Sequence, residues 1–258
     1  MSEPAFIQVE KEEKIGIIRL NRPKQLNAIN RKMVSEITQA LEEMDKDEDI
    51  RAVVLTGNGR AFAAGADIDE MAEDTSVSLE MLNQFADWDR IHCFKKPLIG
   101  AIQGFALGGG FELALACDLL FCGEDAQFGF PEIKLAVMPG AGGTQKLTKL
   151  MGRTKALEWL WSGEMMTCKE AVKYGIVNRV MPAELLWEET IKYAHTLADK
   201  PPLSVRLIKD AVNKAVDYTL YEGMQYERKN FYLLFSSEDQ KEGMKAFMEK
   251  RKPDFKGR

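Results

Sequence analysis

Two glutamates, Glu112 and Glu132, stand where an apolar stretch would not ordinarily hold an acid. Glu112 follows the triplet Gly108-Gly109-Gly110 and opens a helical pattern of Phe111, Leu113, Ala114, Leu115 and Ala116. Glu132 sits in Phe128-Gly-Phe-Pro-Glu-Ile133, hydrophobic on both sides. Two carboxyl groups in apolar loops can share a water and do acid–base work, with roles set by environments that push their pKa values apart. The triplet adds a second resource. The first N–H groups of a helix have no internal partner, the dipole adds positive charge there, and glycine lets a substrate oxygen approach the backbone. Such a place suits an oxyanion, whose second donor must come from elsewhere; the segment Ala64-Gly65-Ala66-Asp67 is the candidate. Two plainer readings stand beside these: a first-turn glutamate pointing to water, and glycines that serve tight packing of a helix on a strand.

Other glycine-loop chemistry fails on spacing. A dinucleotide fingerprint needs a third glycine where Leu113 or Gln145 stands, and a P-loop needs a Gly-Lys pair that the chain lacks. No GxSxG elbow is present. Asp67 and Asp69 begin like a calcium loop, but Met71 and Ala72 follow where oxygen ligands and glycine belong. With only His92 and His195 in the chain, a histidine triad or a His-rich metal site is not expected.

The 258 residues carry 35 basic and 40 acidic side chains, a net charge of −5. That balance argues against nonspecific nucleic-acid binding. The apolar runs fall far short of the ~20 residues that span a bilayer, and the N-terminus has no basic start followed by an apolar stretch. Cys93, Cys117, Cys122 and Cys168 form no CxxC pair and read as free thiols of a cytoplasmic protein.

The alternation at 5–10 and 14–20 predicts a hairpin, and Met33, Val34, Ile37, Leu41 and Met44 predict a helix over 31–46 capped by Asn30. Apolar, β-branched runs at 52–56, 98–102, 118–122 and 176–180 predict buried strands, with helices at 80–94 and 110–117 among those between them. From about 183 the pattern is helical: 184–199, 219–236 and a last helix with Ser237 and Gln240 at capping-box spacing. These tail helices, rich in Met and Phe, are expected to cover the core and to meet a neighbouring subunit.

Taken in order, these pieces closely resemble the enoyl-CoA hydratase (crotonase) family. The resemblance runs from Leu20-Asn-Arg-Pro-Lys24 and Leu26-Asn27-Ala28 through Phe62-Ala-Ala-Gly-Ala-Asp-Ile68 and Gly104-Phe-Ala-Leu-Gly-Gly-Gly110. It continues with Glu112-Leu-Ala, Pro131-Glu132-Ile133, Pro139-Gly-Ala-Gly-Gly-Thr-Gln145 and Glu242-Gly-Met244. It implies an α/β fold: a spiral of repeated ββα units, residues 1–182, closed by a C-terminal helical trimerisation region, 183–258, with two trimers usually stacked as a hexamer. It implies a CoA thioester whose carbonyl lies between the backbone N–H groups of Ala66 and Gly109. Glu112 and Glu132 are then the catalytic pair of a hydratase, holding one water against the C2–C3 double bond. Glu112 would activate the water and Glu132 would supply the proton to C2. The product is a (3S)-3-hydroxyacyl-CoA, and no metal or redox cofactor is implied.

Members that only shift a double bond typically keep the second carboxylate alone, so an isomerase is the nearest alternative, with a thioesterase or an RNA-binding relative further off. The resemblance also assigns the carrier to the backbone of Ala64, Ala66, Asp67 and Ile68, with Gly109. It brings Lys24, and Lys250 or Lys252, towards the CoA phosphates. Two departures stand out: Asp69 where many hydratases have Lys, and Phe130 where Gln often precedes the Pro-Glu. Phe130 is expected to bulk the site beside Glu132, and Met71, Leu82, Phe85, Trp88 and Met138 to shape the acyl pocket.

Overall fold

The computed structural model describes residues 6–258. Ala5, the first residue of the expected hairpin, and the four residues before it lie outside that range. Strand β1 (Ile7–Glu12) folds back on β2 (Ile15–Leu20) through Glu13 and Lys14, with Glu13 at a φ of 51°. β2 then pairs in parallel with β3 (Ala52–Gly57), followed in parallel order by β4 (Leu98–Ile102), β6 (Leu119–Gly123) and β9 (Arg179–Met181). These runs read as continuously apolar because both faces are covered. Ile18, Leu20, Val53 and Leu55 enter one core cluster, whereas Ile15, Ile17, Ala52 and Val54 enter the other.

Helix α1 (Arg31–Lys46) covers the first face with the apolar stripe the sequence predicts. Asn30 caps it, its side chain accepting from Met33 N–H at 2.8 Å. The second face is covered by α9 (Leu186–Ala198), through Leu186, Ile191, Ala194 and Ala198. The expected helix over 80–94 is instead several pieces. After a short α2 (Ile68–Met71), α3 (Ser76–Leu82) stops at Asn83 in the left-handed region, and α4 runs from Ala86 to His92. Asparagine tolerates that conformation better than most side chains, and a helix cannot continue through it.

A second, three-stranded sheet was not expected: β5 (Phe105–Leu107), β7 (Gln127–Gly129) and β8 (Met165–Thr167). Its strands are too short to show a period in the sequence. Between them lie α5 (Gly109–Ala114), α6 (Gly143–Met151) and α7 (Arg153–Ser162), and α8 (Cys168–Lys173) follows β8. Beyond α9 come α10 (Pro202–Ala215), α11 (Leu220–Leu234) and α12 (Glu238–Glu249). Ser237 caps α12 by accepting from Gln240 N–H at 3.1 Å, the first half of the expected capping box. The strand expected at 176–180 is shorter and later, at 179–181, because residues 176–178 form the turn out of α8. No helix among the described residues is long and apolar enough to cross a membrane.

Candidate active site

β3 delivers the chain into residues 57–67, and that loop is held by main-chain bonds on both flanks. Ile29 N–H donates to Gly65 O at 2.8 Å and Asp67 N–H donates to Ile29 O at 2.8 Å. On the other flank, Ala63 N–H donates to Phe105 O at 2.9 Å and Leu107 N–H to Ala63 O at 3.0 Å. Asn27, fully buried and at a φ of 56°, completes the clamp. Its side chain accepts from Arg22 N–H at 2.9 Å and donates to Asn58 O at 3.0 Å and to Ala61 O at 2.8 Å. A buried amide with its donors and acceptor satisfied fixes backbone more firmly than an apolar contact would.

That clamp brings Ala66 against the start of α5. A methyl built on Gly109 would lie 3.8 Å from Ala66 N, and one built on Gly110 would lie 2.2 Å from Ala63 O. The triplet therefore does pack tightly, and the packing is what brings the two segments together. Neither Ala66 N–H nor Gly109 N–H donates a hydrogen bond among the described residues, and both residues line a cavity of about 800 Å3.

Glu112 enters the same cavity from the first turn of α5 and is only 4% exposed, which excludes the water-facing reading. Its Oε1 accepts two backbone N–H groups, from Ala141 at 2.7 Å and Gly143 at 2.8 Å. Burial raises its pKa above the ordinary carboxylate value, and those N–H donors oppose the rise. Glu132 comes from a 3-10 turn over Pro131–Leu135. Burial, opposed by its own backbone N–H and assisted by the charge of Glu112, pushes it up to about 7. Its Oε2 is buried and has no partner among the described residues. Buried polar atoms are seldom left so, and this one lies on a residue that lines the cavity.

The remaining residues fall into three groups. Ala64 and Ile68 line the cavity, as do Met71, Leu82, Phe85, Trp88 and Met138. Asp67 does not line the cavity, and its carboxylate is paired with Arg22 at 2.7 Å. Lys24 is exposed on a 3-10 turn and does not line the cavity, and Lys252 is paired with Asp199 at 2.9 Å. Phe130 overturns its expectation. Its ring is 2% exposed and stacks on Phe111 with centroids 4.8 Å apart, so it fills the core rather than the site. The loop Pro139–Gly143, which supplies the amides to Glu112, had no function assigned from sequence. Its glycines were visible there, but nothing local tells which distant carboxylate they face.

The model for enoyl-CoA hydratase/isomerase matches residues 10–258. The chain belongs to that family. Among relatives of this family, it is 46% identical to a probable enoyl-CoA hydratase of Mycobacterium tuberculosis, over 96% of this chain and 97% of that one. It is 43% identical to a mitochondrial enoyl-CoA hydratase of Pongo abelii, over 97% and 88%. A crystal structure of an enoyl-CoA hydratase subunit I from Geobacillus kaustophilus superposes with a TM-score of 0.98 at 63% identity, covering all of both chains. The family fold, a mixed α/β body with a set of C-terminal helices, is thus the fold described above.

Proposed function

We propose that the chain adds water across the C2–C3 bond of a trans-2-enoyl-CoA, giving a (3S)-3-hydroxyacyl-CoA. The observation that carries this reading is the meeting, in one cavity, of two carboxyls withdrawn from water and two backbone donors without acceptors among the described residues. The thioester oxygen sits between Ala66 N–H and Gly109 N–H, which stabilise the negative charge that grows on it in the transition state. Glu112, its ionised form favoured by two amides, takes a proton from water as the oxygen attacks C3. Glu132, which holds a proton near neutral pH, delivers one to C2. One water is consumed, its hydroxyl ending on C3, and coenzyme A enters only as part of the substrate. The backbone of Ala64, Asp67 and Ile68 borders the carrier, and exposed Lys24 meets its phosphates at the surface, outside the cavity. We assign no cofactor, metal or nucleic acid, and place the protein in the cytoplasm.

We also propose that residues 183–258 form a helical region that packs on the 1–182 core, through α9, and on neighbouring subunits, and that it trimerises, with hexamers as stacked trimers. Leu220 at 81%, Phe247 at 85% and Met248 at 75% exposure support this, because faces so apolar are seldom left in water.

Loss of enone absorbance from crotonyl-CoA tests the hydratase. Wild type is expected to consume it, with Glu112→Gln and Glu132→Gln each slower by about 10³-fold. Isomerisation of 3-enoyl esters that survives Glu112→Gln but not Glu132→Gln would instead make the protein an isomerase.

A further inference from the structure

Behind Glu112 lies a half-buried pair, neither member of which lines the cavity, that this mechanism leaves unused. Trp88 and His92 stand one turn apart on α4; the first lines the cavity and the second reaches the loop that holds Glu112. His92 Nε2 is 3.3 Å from Ala141 O. His92 Nδ1 is 3.0 Å from Lys146 Nζ, which also donates to Leu115 O at 2.8 Å, just past the end of α5. Four elements therefore meet here: the helix that carries Glu112, the loop whose Ala141 and Gly143 amides grip it, α4, and α6, which carries Lys146.

The donor chemistry decides the tautomer. An ammonium has donors only, so Nδ1 must accept from Lys146, and the ring proton is left on Nε2 to donate to Ala141 O. Ala141 then accepts on its carbonyl from His92 and donates through its N–H to Glu112 at 2.7 Å. Burial, with the charge of Lys146, keeps His92 below its ordinary pKa and so neutral, whereas the Ala141 carbonyl and Asp89 on its own helix pull the other way. Burial pulls Lys146 down to about 8, opposed by Cys117, Asp118 and Glu112, with Lys209 adding to the fall.

We propose that His92 and Lys146 are a positioning pair for the acid–base chemistry, fixing the Pro139–Gly143 loop so that its amides hold the Glu112 carboxylate against the reacting water. Neither touches substrate. The kinetic part of this inference rests on the hydratase reading above.

Two measurements test it. With only two histidines in the chain, imidazole 15N spectra assign His92 directly against His195. A neutral ring with the proton on Nε2 at pH 7 is expected, and a proton on Nδ1, or a doubly protonated ring, overturns the pair. In crotonyl-CoA hydration, folded His92→Phe and Lys146→Met are expected to lose about 10- to 100-fold in kcat with KM changed less than about threefold. His92→Gln, whose amide can still donate to Ala141 O, regains most of that loss. A kcat within twofold of wild type in folded His92→Phe, or a loss seen only in melting temperature or KM, overturns the proposal. Should wild type itself fail to hydrate enoyl esters, the hydratase reading falls, and the tautomer still judges the pair.

Discussion

Glu112 hangs from a helix and is gripped by two amides, while Glu132 hangs from a single 3-10 turn and keeps one oxygen without a partner. Both are removed from water, so burial raises both pKa values; two loop amides oppose the rise at Glu112, and only its own backbone N–H opposes it at Glu132. The difference shows how one cavity separates the protonation of two identical side chains. The carboxylate that accepts two amides is held nearer its anion, and the one whose burial and like charge outweigh a single backbone hydrogen bond is favoured as the acid.

The strongest way to break that comparison is to remove both groups at once. If they act on one water as a unit, the Glu112→Gln/Glu132→Gln double variant is expected to hydrate crotonyl-CoA within about tenfold of either single, rather than showing the product of two ~10³ losses. Losses that multiply would mean that the carboxyls work independently. A gentler break leaves both glutamates and displaces one. Gly108 has a φ of 50°, and a methyl there would lie 2.8 Å from Glu132 Oε1. Gly108→Ala is therefore expected to cost about 100-fold in kcat through a misplaced acid and a strained backbone.

Stability sharpens the contrast next. Glu132 titrates near 7 in the folded chain against an ordinary 4.5, so folding favours its protonated form. That contribution is whole below pH 4.5 and is lost as pH rises through 7. After allowance for the water that reaches it, wild type should lose about 1–2 kcal/mol between pH 4.5 and 8 that Glu132→Gln does not lose, read by denaturant unfolding at each pH. The same acid predicts an alkaline limb near pH 7 in kcat/KM. The smallest effect is expected at Lys24. Its side chain is exposed and away from the cavity, so Lys24→Ala should change KM for crotonyl-CoA by less than about twofold, as exposed charges contribute little.

The long strands and α1 were legible because apolar runs and a 3–4 spacing survive in the sequence, and Glu112 and Glu132 were legible because an acid among apolar neighbours is conspicuous. What stayed hidden was set by tertiary contact. β5, β7 and β8 have three residues each, fewer than any period needs. Asn83 breaks a helix that side-chain spacing alone would continue. Phe130 turns inward onto Phe111, a choice made by a ring 19 residues earlier in the chain and by the space left at Gly143. His92 stood in the sequence as one of two scarce histidines, and its neighbour Lys146 lies 54 residues away.

Every donor that faces Glu112 Oε1, and both donors left open at Ala66 and Gly109, belong to the main chain. Side-chain variation at Ala66 or Ala141 cannot delete them, so a mutational library sees these positions only through size and backbone strain. Proline alone among the coded residues removes such an N–H, and it brings a ring and a fixed φ with it. Replacing the amide by an ester, through a hydroxy acid built into the chain at Ala66 or Ala141, would erase one donor and nothing else. It is the substitution by which chemical synthesis could reach what genetic drift cannot.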